Sequence, residues 1–365
     1  MLIPTIPPGE VFESDTHYFY LGVILLTFSL CFIKFRKHRD CVLWLPMVIL
    51  WIIAVSRDFV GADYIPYYGI FNGAKWDGYI PSATNIEPGY YYLNAFLHQI
   101  CSYEFFGFMA IHFLTLFFTY KAITYFKKDI SFAYAILAYV TMWYFLSFNL
   151  LRICLAAAIV SWSIRFLLEK HYWKYFTVIG LLFFIHMSSA AMILPGIAYI
   201  TYQKSPKLTL IGLIVFLVII NGFLYVLLQN IDILRYQHYL SMDSGTGIGL
   251  NIFFTYVPFA YWLYIGRKRI DKNFWQLCLV FTLFAFIIDF SGYRLEILGR
   301  LRTYAVVPFL IYLPVLIQTL KKFQREKYVL NSFAIFIYLI AKYYLLLPQL
   351  YWSDKIMPYH SMLFD

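Results

Sequence analysis

The chain has 365 residues, of which 62% are hydrophobic and only 13% are charged, whereas about a quarter of the residues in a soluble domain are charged. This composition, with a mean hydropathy of +0.69, excludes an ordinary soluble domain and predicts an integral membrane protein. The net charge of +10 would suggest nucleic-acid binding in a soluble protein, but here the cations lie in short loops between apolar runs, where they orient helices.

Twelve apolar segments follow one another along the chain, and most are long enough for a spanning helix, which needs about 20 residues. Their ranges are 18–35, 41–55, 89–101, 104–126, 130–147, 150–168, 173–200, 207–229, 250–266, 272–290, 301–320 and 328–348. Segment 89–101 is too short to cross, and segment 173–200 is long and contains Pro195. We find no separate soluble domain or internal repeat. The sequence therefore predicts an all-α integral membrane protein in which residues 1–365 form a single polytopic helical bundle.

Six basic clusters between these segments predict which side each helix end faces, because short cytoplasmic loops carry an excess of Lys and Arg. The clusters are 34–39, 121–128, 165–174, 203–207, 266–272 and 321–327. All six clusters can be cytoplasmic only if segment 89–101 does not cross the membrane and segment 173–200 enters and leaves the membrane on the same side. We predict ten full spans plus two re-entrant or surface pieces, with external loops at 56–88 and 230–249. The alternative is that one cluster is misassigned and the chain crosses eleven or twelve times.

Six arginines lie on the predicted external side, against the usual distribution of positive charge. They are Arg57, Arg152, Arg235, Arg294, Arg300 and Arg302. A guanidinium is always charged and matches phosphate oxygens in two-point contacts, so the set predicts a binding site for a lipid-linked pyrophosphate. The alternative for each arginine is an ion pair with a nearby acid. Arg300 and Arg302 cannot share one helical face, so we expect at least one of them to be structural.

Several polar residues near the predicted external surface are candidates for catalysis. His186 lies within an apolar segment, and a histidine there is a functional hypothesis by default. As a neutral imidazole it could take a proton from a sugar hydroxyl; alternatively, a carbonyl or the following serines satisfy it. Asp58, Asp63 and Glu87 could each serve as a general base or hold an arginine in place.

Sugar contacts are expected from aromatic and polar residues of the predicted external loops. Tyrosine rings stack on sugar faces and donate hydrogen bonds, although an interfacial aromatic belt is an equally good explanation for most of them. Arg235 lies in an external loop with glycine hinges that could close over a substrate. The candidates for sugar binding are Tyr64, Tyr67, Glu87, Tyr90 and Arg235.

The motifs of several common enzyme classes are missing from the sequence. There is no Walker loop, no dinucleotide-binding glycine fingerprint, no HExxH motif and no GxSxG nucleophile elbow. No DxD-like carboxylate pair suggests a metal bound to a nucleotide sugar, and no pair of the five cysteines has metal-ligand spacing. We therefore expect no metal and no cofactor, and a lipid-activated donor.

Five stretches in order, over roughly residues 56 to 305, carry a resemblance to a known family. They are SRDFVGADYIPYYGIF, EPGYYYLNAF, FNLLRICLAAAI, FFIHMSSAAMILP and RLEILGRLRTY. With these stretches the chain resembles the EpsG/Wzy family of polysaccharide polymerases, of which the O-antigen polymerases are typical. The resemblance implies a GT-C-like, lipid-dependent glycosyltransferase of the bacterial inner membrane, acting at the periplasmic face on units linked to undecaprenyl pyrophosphate.

The resemblance also implies roles for individual residues. The arginines at 57, 152, 294, 300 and 302 would neutralise the pyrophosphate leaving group. His186 or Asp63 would deprotonate the acceptor hydroxyl, with inversion at the anomeric carbon. The implied partners are lipid-linked oligosaccharides and membrane lipid, with a chain-length regulator as a further candidate and no nucleic acid. A flippase for lipid-linked oligosaccharide and an O-antigen ligase are the competing functions.

Overall fold

The computed structural model describes residues 14–33, 41–79, 86–230, 250–292 and 300–362. The α-helices in these ranges are α1 (Ser14–Leu30), α2 (Cys41–Val55), α3 (Tyr64–Gly73), α4 (Pro88–Ile100), α5 (Phe106–Tyr125), α6 (Phe132–Tyr139), α7 (Leu151–Leu168), α8 (Tyr172–Phe183), α9 (Ile193–Lys204), α10 (Pro206–Asn230), α11 (Leu250–Gly266), α12 (Lys272–Gly292), α13 (Leu313–Phe323) and α14 (Arg325–Pro348). Short 3-10 or π turns occupy Val140–Tyr144, Phe145–Phe148, Met187–Met192, Arg300–Val306, Pro308–Tyr312 and Gln349–Ser353. The described residues contain no β-strand, only an isolated bridge between Arg57 and Ser361.

Five helical segments are long and apolar enough to cross a membrane. They are Phe106–Tyr125, Leu151–Leu168, Lys272–Gly292, Leu301–Phe323 and Arg325–Ser353. Shorter apolar helical segments lie at Trp44–Val55, Phe132–Phe148 and Pro206–Gly222. These segments confirm the prediction of a helical membrane protein, whereas the total of ten crossings stays a prediction.

Loops with basic clusters lie together at one end of the bundle, which we call the basic end. The turns after α5 and α13 meet there, because Lys322 Nζ donates to Asp129 Oδ1 at 2.9 Å. The turn between α11 and α12 is next to them, because Phe126 packs on Phe274 with ring centroids 4.8 Å apart. This arrangement is consistent with the topology predicted from the positive charges. The cluster at 34–39 lies outside the described residues.

The pair α8 and α9 forms a helical hairpin whose two ends lie together. The hydroxyl of Tyr172, at the start of α8, donates to Gln203 Oε1 near the end of α9 at 3.2 Å. Each helix has 12 residues and is therefore about 18 Å long, less than the roughly 30 Å of a hydrocarbon core. The chain turns back at His186, whose backbone is extended (φ −154°, ψ 111°). Segment 173–200 thus starts and ends at the same end of the bundle, as predicted.

Helix α7 lies at the centre of the bundle. It packs against α5, α8 and the 3-10 turn Arg300–Val306. Ala156 and Ser161 on this helix are buried, and such small side chains let neighbouring membrane helices approach closely. The small side chains of α7 therefore allow its neighbours to pack closely against it.

The expected external loop 56–88 is more ordered than a simple loop. It contains α3 and the residue that precedes α4, while residues 80–85, like residues 231–249 of the other expected loop, lie outside the described part of the chain.

The start of this segment is bound by the C-terminal tail. The Asp58 N–H donates to the carbonyl of His360, and the Gly61 N–H donates to that of Lys355, both at 3.0 Å. Gly61 has φ +109°, and a Cβ there would lie 2.8 Å from the carbonyl oxygen of Phe148. Glycine is therefore required for this turn.

Candidate active site

Three polar residues from distant parts of the chain meet away from the basic end. Glu87 Oε2 forms an ion pair with Nη1 of Arg152, and the Nδ1–H of His186 donates to Glu87 Oε1 at 2.9 Å. The backbone N–H of Met187 donates to the same oxygen at 3.2 Å. Both carboxylate oxygens are therefore engaged, one by a guanidinium and one by an imidazole. We call Glu87, Arg152 and His186 the carboxylate cluster.

The local backbone explains why Glu87 reaches the break in the hairpin. Glu87 is the extended residue directly before α4, and Pro88 occupies the first turn of that helix, where its missing N–H costs nothing. The N–H of Tyr90 donates to the carbonyl of Phe184 at 3.2 Å. A Cβ at Gly89 would lie 2.6 Å from that carbonyl oxygen, so glycine permits the close contact between α4 and the hairpin.

Arg152 lies between the carboxylate and two tyrosine rings. Its guanidinium carbon is 5.9 Å from the ring centroid of Tyr67 and 5.6 Å from that of Tyr90, within cation–π range. Its Nε is buried without a partner among the described residues. The side chain is held in one orientation with part of its donor capacity unused.

Glu87 lies outside the membrane-spanning segments and is ionised in this setting. Burial raises the pKa of its carboxyl, but the hydrogen bond from His186 and the charge of Arg152 outweigh burial and lower the pKa from 4.5 to about 2. The carboxylate therefore stays charged at neutral pH and accepts the hydrogen bond that the Nδ1–H of His186 donates. This leaves Nε2 as the imidazole nitrogen that can accept a proton.

A second contact fixes the turn that follows His186. The hydroxyls of Ser188 and Tyr304 lie 3.1 Å apart, and Tyr304 belongs to the 3-10 turn Arg300–Val306. The sequence offers the serines as partners for His186 itself, but the structure pairs His186 with Glu87 and Ser188 with Tyr304.

Asp63 lies next to this cluster and not in it. It occupies the N-cap position of α3, and its backbone N–H donates to Asn149 Oδ1 at 2.7 Å. Its charge contributes to raising the pKa of Tyr67, whose main cause is burial. Asp63 is therefore near enough to influence the tyrosine beside Arg152.

Arg57 has a different, closed environment. Its side chain is 1% exposed, and its guanidinium carbon lies 5.0 to 5.7 Å from the ring centroids of Tyr64, Phe108 and Phe148. Nη1 contacts Nε2 of His112 and donates to a backbone carbonyl. The structure does not bring Arg57 into the carboxylate cluster. A phosphate could reach its guanidinium only after the three surrounding aromatic rings had moved apart.

The tyrosines expected to contact sugar are all buried. Tyr64, Tyr67 and Tyr90 are between 1% and 7% exposed. Tyr64 packs on Phe108 beside Arg57, while Tyr67 and Tyr90 line Arg152. In this conformation the three rings support arginines and do not offer a free face to a sugar.

The structure describes only some of the remaining arginines that the sequence predicts on the external side. Arg235 and Arg294 lie outside the described residues, and Arg300 is described only as the start of a 3-10 turn. Arg302 lies elsewhere: its Nε is 3.7 Å from Asp289 Oδ1. The expected pairing of an arginine with an acid is thus found for Arg152 and Arg302.

A comparison with protein families shows which family the chain belongs to. A model of the EpsG family matches residues 41–361, nearly the whole chain. The chain belongs to the EpsG family. No curated protein and no solved structure matches it, so a GT-C-like architecture stays a prediction. Membership in EpsG places the protein in polysaccharide biosynthesis, and the family is associated with polysaccharide-polymerase and glycosyltransferase-like activity.

This EpsG chain has a second polar cleft on the other side of the turn Arg300–Val306. Together with the open space at its mouth, the cleft spans about 560 Å³. Asp289 accepts a hydrogen bond from Tyr256 at 2.7 Å, and Lys342 Nζ donates to Thr255 Oγ1 at 2.5 Å. Sequence patterns single out neither Asp289 nor Lys342 as a site residue.

Other polar partners were also missed, because they are not distinctive in the sequence. Asn149 donates from Nδ2 to Asp354 Oδ1 at 2.7 Å, which binds the start of α7 to the C-terminal tail. His112 lies within α5 and Tyr304 follows the late arginines. A lone histidine in an apolar run, the signal used for His186, would have found His112 as well.

Proposed function

We propose that this EpsG-family protein is a polysaccharide polymerase. It transfers a growing glycan from undecaprenyl pyrophosphate to a sugar hydroxyl of another lipid-linked repeat unit, at the periplasmic face of the bacterial inner membrane. Family membership and the membrane-spanning helices support the broad assignment. The observation that carries the chemistry is the Glu87 carboxylate, which binds Arg152 with one oxygen and the Nδ1–H of His186 with the other.

His186 is the general base of this proposal. Because Glu87 holds Nδ1 in its protonated form, Nε2 is free to take the proton of the acceptor hydroxyl. The imidazolium that forms is stabilised by the same carboxylate, as in other carboxylate–histidine pairs. Asp63, beside Tyr67, is the alternative base.

Arg152 is the group that stabilises the leaving pyrophosphate. The acceptor oxygen forms a bond to the anomeric carbon while the bond from that carbon to the pyrophosphate oxygen breaks. The bonding electrons go to the pyrophosphate, and the hydroxyl proton goes to His186. Attack opposite the leaving group inverts the anomeric centre. A fixed guanidinium beside the reacting atoms stabilises the new negative charge where water is scarce.

A deletion strain separates the three candidate functions. Surface glycan of a single repeat unit supports a polymerase, internal accumulation of lipid-linked units indicates a flippase, and free polymer indicates a ligase. We expect the single-repeat phenotype, and we expect His186→Gln and Arg152→Gln to reproduce it at a normal protein level. His171→Gln is the matched control, because His171 is exposed at the basic end. Full-length polymer from both cluster variants would contradict the assignment of the carboxylate cluster.

A further inference from the structure

The cleft beyond the turn Arg300–Val306 carries excess positive charge. Arg302 lies 3.7 Å from the Asp289 carboxylate, which balances one cation. Lys342 is 7% exposed and is bound by neutral oxygens, those of Thr255 at 2.5 Å and Asn251 at 3.1 Å. Among the described residues, no carboxylate oxygen lies within 4.0 Å of its ammonium. A buried cation without a counter-ion is costly, so the cleft is suited to an anion.

Much of the cleft wall is apolar, although Tyr256 and Thr303 also line it. The apolar side chains that line it are Met142, Leu146, Ala285, Phe309, Leu345 and Leu346. A small hydrophilic anion gains nothing from such a wall, whereas an anion attached to a hydrocarbon chain buries that chain against it. The combination of two cations with an apolar wall therefore fits the phosphate of a lipid.

Two charged side chains of the cleft come from different helices. Asp289 lies near the end of α12 at Gly292, whereas Lys342 lies further from the end of its helical segment, which continues through the π turn to Ser353.

The proposed reaction requires two lipid pyrophosphates to be bound at once. One belongs to the donor and is released from its glycan, and the other belongs to the acceptor and keeps its glycan. The carboxylate cluster contains Arg152, which the proposed mechanism assigns to the leaving pyrophosphate, and it therefore suits the donor. No histidine is present among the residues that line the second cleft, so this cleft can bind an anion without a base to promote transfer.

We propose that the cleft of Asp289, Arg302 and Lys342 is a second lipid-pyrophosphate site, which holds the acceptor substrate. The identity of this substrate rests on the proposed function, whereas the binding of an isoprenoid pyrophosphate is a property of the cleft alone. The turn Arg300–Val306 separates the two sites, because Arg302 lies in one and Tyr304 contacts the hairpin of the other. Donor and acceptor are therefore held on opposite sides of one short turn.

Binding stoichiometry of farnesyl pyrophosphate to the purified full-length protein tests this proposal. We expect two molecules per wild-type chain, and one molecule for either Lys342→Gln or Arg152→Gln. Lys342→Arg keeps the charge and is expected to retain both sites. Lys121→Gln removes an exposed lysine near the basic end and is the matched control. Leu346→Trp fills the cleft without changing its charge and should also remove one site.

Three results would overturn the proposal. The first is two bound molecules in both Lys342→Gln and Leu346→Trp, when each elutes as a folded species. The second is a single bound molecule in the wild-type chain. The third is equal competition by phosphatidylglycerol, which would make the cleft a site for bulk phospholipid. Failure of the polymerase assignment is recognised separately, from the glycan of the deletion strain.

Discussion

At the scale of single residues, Glu87 joins the other two members of the candidate site, because its carboxylate contacts both Arg152 and His186. Sequence motifs single out Glu87, Arg152 and His186 individually, and the family resemblance assigns chemistry to two of them. Their pairing could not be predicted, because Glu87 is 65 residues from Arg152 and 99 residues from His186. Only the break in the α8–α9 hairpin and its contact with the start of α4 bring the three side chains together.

The pH dependence of stability tests the charged state of Glu87. Its pKa falls from 4.5 to about 2 on folding, so its contribution is fully present above pH 4.5 and is lost as the pH falls towards 2. We expect the difference in melting temperature between wild type and Glu87→Gln to shrink as the pH falls from 4.5 towards 2. Thermal scanning in detergent measures this. A difference that stays constant down to pH 3 would show that the carboxylate is not held by Arg152 and His186.

The guanidinium of Arg57 suggests pyrophosphate binding, whereas its closed surroundings indicate a role in stability. It is enclosed by three aromatic rings and His112, so we expect Arg57→Gln to act on stability. Breaking a buried charged contact costs about 3–5 kcal/mol, and the variant should yield less folded protein. Turnover per folded molecule should change less than threefold, as measured on protein purified by size exclusion. A loss of turnover at unchanged stability would instead support direct contact with pyrophosphate.

At the scale of elements, the contact between α4 and the hairpin positions the carboxylate. A substitution at Gly89 tests this contact, because a Cβ there would lie 2.6 Å from a backbone oxygen, an atom that cannot move away easily. We expect Gly89→Ala to destabilise the protein by about 1–3 kcal/mol and to lower activity by displacing Glu87. Gly69→Ala is the control, since its Cβ would meet nothing within 4 Å inside α3. Equal stability and activity for the two variants would exclude this positioning role.

The α8–α9 hairpin gives a test of topology. Lys170 and Lys204 are exposed residues at its two ends. In a cysteine-free background, Lys170→Cys and Lys204→Cys should both react with a membrane-impermeant maleimide from the cytoplasmic side only. Labelling from opposite sides would mean that the segment crosses the membrane, and that one of the basic clusters is external.

Across the whole molecule, the sequence predicted the class of fold and the turning back of segment 173–200. Hydropathy and charge carry this information directly, because each depends on residues close together in the chain. The docking of the C-terminal tail on residues 57–62 and the cleft around Lys342 were not predictable. Both depend on contacts between segments far apart in the sequence, such as that of Asn149 with Asp354.

The central claim is that the carboxylate cluster transfers glycan between lipid-linked units. Polymerisation of a lipid-linked repeat unit by the purified, reconstituted protein tests it most directly. We predict that wild type and His171→Gln form a ladder of products, and that His186→Gln forms it at least about 100-fold more slowly per folded molecule. A ladder formed by His186→Gln at the wild-type rate would contradict the account.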